Sequence, residues 1–248
     1  MQISDEVAVV TGASSGIGAA VALELARLGM RVALMARRFE RLQSLVAQVS
    51  SQGGEARAYP VDLRDTRALE GAFAEIHHDM GPVRALINNA GLGHAAPLTS
   101  GDTEHWREML EVNVLALCVC TRESIAQMRA HGDWGQVIHI SSMAGHRVPE
   151  GSGVYSATKF AVRSLTEGLR KELRADKSAI RISSISPGFV ETEFAAHYHR
   201  SEDKAREIYG QYEVLSAEDV ARQVAFVLTQ PPHVQIHDLL LRPTQQLS

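Results

Sequence analysis

Three side chains able to handle a proton fall within one short stretch: Ser142, Tyr155 and Lys159. Tyr155 and Lys159 are four residues apart, which places both on one face of a helix. Ser142 follows the apolar run 136–140, which reads as a strand. An ammonium beside a phenol favours the phenolate, so the spacing predicts a lowered pKa for Tyr155. A tyrosine tuned in this way gives or takes a proton near neutral pH. A serine hydroxyl nearby can hold the oxygen that exchanges that proton. With a hydride carrier at hand, this is equipment for interconverting a carbonyl and an alcohol. A Tyr–Lys pair at this spacing is equally at home on an ordinary helix, as a buried ring and a solvated amine. The rest of the chain decides between the two.

The elements that must position these groups follow one another regularly. Residues 6–11, 31–36, 56–60, 83–87, 136–141, 180–186 and 235–241 read as short strands. Between them, 19–28, 38–51, 66–78, 103–131 (with Thr103 as N-cap), 153–176 and a helix capped by Ser216 and running to Thr229 read as helices. Residues 189–213 are polar, aromatic and irregular, with one short helix expected near 202–210 and the length of a lid. Residues 242–248 read as a tail. Strands alternating with helices argue a parallel sheet covered on both faces, in one α/β domain spanning 1–248. In such sheets ligands bind beyond the carboxyl ends of the strands. The chemically suggestive segments all fall at those ends.

The first of them is Thr11-Gly12-Ala13-Ser14-Ser15-Gly16-Ile17-Gly18, which follows a strand and opens a helix. Glycines there let the backbone turn tightly and approach a diphosphate, which the helix N-terminus then faces. Cofactor choice falls at the end of the second strand, where an acidic residue would bind a ribose 2′-hydroxyl. The chain has Ala36 and then Arg37 and Arg38, so nothing repels a 2′-phosphate and two guanidiniums can pair with it. That favours NADP(H); Arg41, one turn on, reads as a solvated charge. Asp62 accepts from an adenine amino group or serves as a turn or capping residue. Asn88-Asn89-Ala90-Gly91 is turn-forming under either reading. Asn113 lies in an apolar helical segment and needs partners, either backbone around a local helix distortion or an ordered water.

Composition narrows the field further. The 248 residues carry a formal net charge of −4, which gives no reason to expect nucleic acid or an anionic membrane as partner. Met1–Glu6 lacks the order of a signal peptide, and no apolar run is long enough to span a bilayer. Cys118 and Cys120 read as buried thiols of a reducing compartment, and a cytoplasmic location is expected. The eleven histidines show no metal-ligand spacing, so no metal is expected.

Taken as a set, Thr11-Gly-xxx-Gly16-x-Gly18, Asp62, Asn88-Asn-Ala-Gly91, Asn113, Ser142, Tyr155-xxx-Lys159 and Pro187-Gly188 resemble the short-chain dehydrogenase/reductase family, in its short single-domain branch. The resemblance runs from Thr11 to about Leu241. It implies a Rossmann-type doubly wound parallel sheet of about seven strands. Tyr155 would then be the general acid in reduction and Ser142 would orient the substrate oxygen. Lys159 would bind the nicotinamide ribose, and Asn113 would hold a water leading to bulk solvent. Pro187, Gly188, Val190 and Thr192 would lie along the nicotinamide, and Arg37 would take the 2′-phosphate. Ser14, Ser15, Ile17, Leu63, Asn89, Ala90 and Gly91 complete the expected cofactor contacts. Ser15 stands where some NADP(H)-preferring members carry a basic residue. The resemblance also implies a homotetramer or homodimer and a small-molecule carbonyl or alcohol substrate. His94 and Phe189 are expected among its contacts. The alternative is a non-catalytic NADP(H)-binding sensor or interaction protein on the same fold.

Overall fold

The structure, a computed structural model, describes residues 3–247; residues 1, 2 and 248 of the expected domain span lie outside it. The first strand, β1 (Val7–Thr11), is buried along its whole length, as a central parallel strand covered on both faces must be. Its side chains divide by the period of two: Ala8 and Val10 enter one core, Val7 and Val9 the other. Helix α1 (Gly16–Arg27) and β2 (Arg31–Ala36) follow, then α2 (Phe39–Ser51) and the edge strand β3 (Glu55–Pro60). The chain returns through α3 (Thr66–Met80) to β4 (Val83–Asn88), which pairs with β1 on its other side.

The second half begins with α4 (Thr103–Leu110), a π-helical segment at Glu111–Leu115 and α5 (Ala116–Ala130). Strand β5 (Gln136–Ile140) leads through a 3₁₀ turn, Met143–Gly145, into the long helix α6 (Gly153–Ala175). Then come β6 (Arg181–Pro187), two short helices, α7 (Phe194–His199) and α8 (Glu202–Tyr209), the helix α9 (Ala217–Leu228) and β7 (Asp238–Leu241). Among the described residues the strands form one seven-stranded sheet in the order β3-β2-β1-β4-β5-β6-β7, with every pairing parallel. Helices α1, α2 and α9 cover one face around Leu25, Leu42 and Val224; α3, α5 and α6 cover the other around Phe73, Met128 and Leu173. This is the doubly wound Rossmann arrangement, and strand order reverses between β1 and β4.

Several boundaries differ from the sequence reading. Asp102 caps α4 by accepting from Glu104 N, so Thr103 is its first helical residue. Strand β7 is four residues long, because 231–237 run as turn and loop. Cys120 is buried, but Cys118 is only half-buried. The expected tail packs back on the fold, where Gln246 Oε1 accepts from Phe189 N at 3.0 Å. Helix α7 was not expected; it is a single six-residue element without an apolar stripe of its own.

Candidate active site

The crevice opens where β1 and β4 end side by side. Thr11 Oγ1 accepts from the backbone N–H of Asn89 (3.1 Å) and of Ala90 (3.0 Å). Asn89 Nδ2 returns a bond to Thr11 O at 2.9 Å. This clasp fixes the glycine loop against the Asn89-Ala90-Gly91 turn. A Cβ on Gly18 would stand 2.4 Å from Gly12 O and 2.5 Å from Asn89 Nδ2, so the contact requires glycine. Ser15 opens α1 in extended conformation without capping it through its side chain. The first-turn N–H groups of α1 are therefore left for an anion. A close-packed loop ahead of an uncapped helix N-terminus fits a dinucleotide diphosphate.

At the end of β2, Arg37 and Arg38 are both exposed and serve different ends. Arg37 contributes to holding the Asp62 carboxyl below its usual value. Arg38 turns into the loop, donating to Ser14 Oγ (3.0 and 2.8 Å), to Ser15 Oγ (2.6 Å) and to Glu193 Oε2 (3.0 Å). Arg41, read from sequence as a solvated charge, holds the other oxygen of Glu193 at 2.6 Å. Asp62 is a turn residue: it accepts from Arg64 N at 3.0 Å and from the Arg64 guanidinium, the main cause of its lowered pKa. Asp65 caps α3 instead. Leu63 beside it is buried.

The expected proton-handling groups meet beyond β5. Ser142 Oγ accepts from Ala144 N at 3.1 Å, which starts the 3₁₀ turn, and Ser142 favours the ionised form of Tyr155. Lys159, only 5 % exposed, donates from Nζ to Ile140 O at 3.0 Å and lies 5.9 Å from the centre of the Tyr155 ring. Burial pushes its pKa down to about 8. Burial also raises Tyr155, with Tyr198 and Tyr209 adding to it and Ser142 opposing. The lowering expected for Tyr155 is thus overturned: desolvation of the phenol dominates.

Asn113 sits within the π segment and bonds backbone around that distortion. Its Oδ1 accepts from Leu92 N (2.9 Å), and its Nδ2 donates to Leu92 O (2.8 Å) and Thr158 Oγ1 (3.0 Å). It locks the 89–92 turn to α6, one residue from Lys159. A Cβ on Gly91 would lie 3.4 Å from Lys159 Nζ and 3.5 Å from Asn113 Oδ1, so all three groups converge.

The remaining wall comes from the stretch after β6. Pro187 ends the strand, Gly188 N donates to Leu241 O at 2.8 Å, and Val190 bridges to Leu215. That bridge closes off an excursion, 191–214, holding α7 and α8. Thr192 packs on the glycine loop, since a Cβ on Gly16 would come 3.0 Å from Thr192 Cγ2. Phe194 and Tyr198 of α7 lie over Tyr155, with ring centroids 5.3 and 6.0 Å away. Phe189 is 41 % exposed. The His94 imidazole is held by Glu108 at 2.8 Å and stacked on His105 at 4.2 Å, while its buried Nδ1 lacks a partner.

Sequence reasoning missed Glu193, Glu108 and Arg200, ordinary surface types with no motif around them, and Thr158, which lies buried inside the Tyr155-xxx-Lys159 motif. Among the described residues no three His, Cys, Asp or Glu side chains are grouped to hold a metal. Among the described residues no helix is long and apolar enough to cross a membrane.

A family model described as short chain dehydrogenase matches residues 6–203. Dehydrogenase/reductase SDR family member 11 of Bos taurus is 46 % identical over 250 residues, covering 98 % of each chain. Farnesol dehydrogenase of Aedes aegypti is 38 % identical over 243 residues, covering 96 % of each. A closed form of serine dehydrogenase complexed with NADP⁺ superposes with a TM-score of 0.91 at 33 % identity, covering 97 % of this chain and 96 % of the other. By the family model and by these relatives, the chain belongs to the short-chain dehydrogenase/reductase family.

Proposed function

We propose that this protein is an NADP(H)-dependent oxidoreductase that interconverts a carbonyl and the corresponding alcohol, with Tyr155 as general acid and base. The observation that carries this reading is the buried Lys159, held by Ile140 O beside the Tyr155 ring, at the mouth of a loop shaped for a diphosphate. The nicotinamide cofactor, when bound, supplies or accepts the hydride.

The residues of the chain do the rest. The first turn of α1 and Gly12, Ser14, Ser15, Gly16, Ile17 and Gly18 receive the diphosphate and adjoining ribose. Arg38 and Arg37 take the 2′-phosphate, as guanidiniums pair with phosphate oxygens. Asn89, Ala90, Gly91, Pro187, Gly188, Val190 and Thr192 flank the nicotinamide half, and Asp62 and Leu63 the adenine. Ser142 holds the substrate oxygen, and the raised pKa keeps Tyr155 protonated, ready to donate when a carbonyl is reduced. Lys159 adds positive charge beside the phenolate this leaves. Asn113 positions the Lys159 side of the site and lies where a water path to solvent would begin. NADP⁺ in the superposable serine dehydrogenase supports the cofactor choice.

Phe194, Tyr198 and Gly93 form the wall nearest Tyr155, since a Cβ on Gly93 would meet all three rings within 3.0 Å. His94 and Phe189 flank that wall and are proposed as its outer contacts. Exposed apolar side chains on α9 and β7 (Phe226, Leu240) and on α4 and α6 (Leu110, Phe160) support a homodimer or homotetramer. Location in the cytoplasm accords with the two free cysteines.

The test is consumption of NADPH, against NADH, over a panel of ketones, aldehydes and 3-oxo acid derivatives. Turnover of at least one compound is expected. Tight NADPH binding with no turnover across the panel would instead favour a cofactor-binding sensor.

A further inference from the structure

Glu193 stands at the junction of two things that cofactor chemistry alone does not connect. Its two carboxylate oxygens are held by different guanidiniums, Oε2 by Arg38 and Oε1 by Arg41. Arg38 is the residue already bound to Ser14 and Ser15 in the glycine loop. Glu193 is also the residue that opens α7, the helix whose Phe194 and Tyr198 cover Tyr155. Beside it lies a cavity of about 380 Å³ bordered by Arg38, Arg41, Glu193, His197, Arg200 and a second carboxylate, Glu202. The carboxylate therefore sits in a basic pocket as an anion would, and it belongs to the lid.

We propose that Glu193 is a latch: it occupies Arg38, one of the two guanidiniums that recognise a 2′-phosphate, together with the neighbouring Arg41, and a 2′-phosphorylated adenosine displaces it and so frees the leading end of α7. This rests on the cofactor reading above and goes beyond it, because it makes Glu193 a specificity-setting residue and couples adenosine recognition to the wall over Tyr155. The physical argument is competition. A phosphate brings three acceptor oxygens and close to two negative charges, so it outbids one carboxylate for Arg38, and two such anions cannot share the pocket without repulsion. The other end of α7 is held independently, by Tyr198 O accepting from Ala95 N at 3.2 Å and by the Tyr198 hydroxyl donating to Gly151 O at 3.2 Å. Release of Glu193 thus loosens one end of α7 without undocking the helix.

The probes are 2′,5′-ADP, which carries the phosphate but no nicotinamide, and 5′-AMP. Glu193→Gln removes the competing charge at an exposed position and keeps the shape. The variant is expected to bind 2′,5′-ADP about two- to tenfold tighter by titration calorimetry, the range set by exposed ion pairs, with 5′-AMP unchanged. Glu193→Asp, which keeps the charge, should return affinity toward that of the unmodified protein. Limited trypsin cleavage after Arg200, Lys204 or Arg206 should accelerate in the unmodified protein when 2′,5′-ADP is added. It should already be fast in the variant and gain nothing further. If Glu193→Gln leaves 2′,5′-ADP affinity unchanged, the latch is wrong while the cofactor reading stands. If the unmodified protein binds neither 2′,5′-ADP nor NADPH, the cofactor reading falls and the latch with it.

Discussion

Lys159 Nζ is anchored to Ile140 O at 3.0 Å, at the end of β5, with the Tyr155 ring centre 5.9 Å away. The sheet edge, not the helix alone, sets where this ammonium sits. Its burial has a thermodynamic consequence. The folded-state pKa is lowered to about 8 from an ordinary 10.5. Between those values the unfolded chain holds a proton that the folded chain lacks, so stability rises with pH across that window. Below about pH 8 the buried charge costs on the order of 3 kcal/mol. Lys159→Met should therefore be more stable than the unmodified protein at pH 7 in urea titrations. That advantage should shrink toward pH 10.5, while NADPH turnover is lost.

Tyr155→Phe keeps the ring that packs against Phe194 and Tyr198 and removes only the hydroxyl. General acid catalysis contributes about a hundredfold to ten-thousandfold. Turnover should fall by that order, with the dissociation constant for NADPH within about twofold of its starting value. Retention of most of the turnover would remove Tyr155 from the proton transfer.

The two arginines after β2 are separable. Arg38 reaches the glycine loop through Ser14 and Ser15, whereas Arg37 acts on Asp62. Arg38→Ala should raise the NADPH dissociation constant by about tenfold or more, as loss of a charge-assisted pair implies, and leave NADH nearly unaffected. Arg37→Ala should show a smaller selective loss. A larger effect at Arg37 would show that Arg38 serves only to brace the loop.

What was legible in the sequence follows physical scale. The strands could be read because 7–10 is an uninterrupted apolar run and 137–140 is apolar but for His139. The glycine loop could be read because its contacts exclude any Cβ. Helix α7 could not: Phe194–His199 is too short to show a period, and its order comes from Tyr155, Ala95 and Gly151, distant in sequence. Glu193 was invisible for the same reason, since its partners lie more than 150 residues upstream. The Tyr155 pKa was misread because i,i+4 spacing reports proximity to Lys159 but not the burial that both groups share.

Gly18→Ala tests the cradle directly. The added methyl would meet Gly12 O at 2.4 Å and Asn89 Nδ2 at 2.5 Å, so backbone must move. The Thr11–Asn89 clasp would open and α1 would swing from the crevice. Loss of measurable NADPH binding is expected, with a drop in melting temperature of several degrees, as about 1–3 kcal/mol of overpacking implies.

His139 supplies the last prediction, through a network whose hydrogens can be assigned. The Thr166 hydroxyl donates to Val162 O at 2.7 Å, so its oxygen accepts from His139 Nδ1 at 2.9 Å. Nε2 is then the acceptor, facing the Thr121 hydroxyl at 3.3 Å, whose oxygen in turn accepts from Asn88 Nδ2 at 2.9 Å. The imidazole is neutral and ties β4, α5, β5 and α6 together directly beneath the site. Burial, with the Lys159 charge adding to it, lowers its pKa from 6.5 to about 3. From pH 6.5 down to about 3 the unfolded chain takes up a proton that the folded chain refuses, so stability declines as pH falls through that window. His139→Gln should cost about 1–2 kcal/mol at pH 7 through imperfect replacement of these bonds. It should also flatten the acid limb of the stability curve measured by urea unfolding; an acid limb as steep as that of the unmodified protein would place the acid sensitivity in other groups.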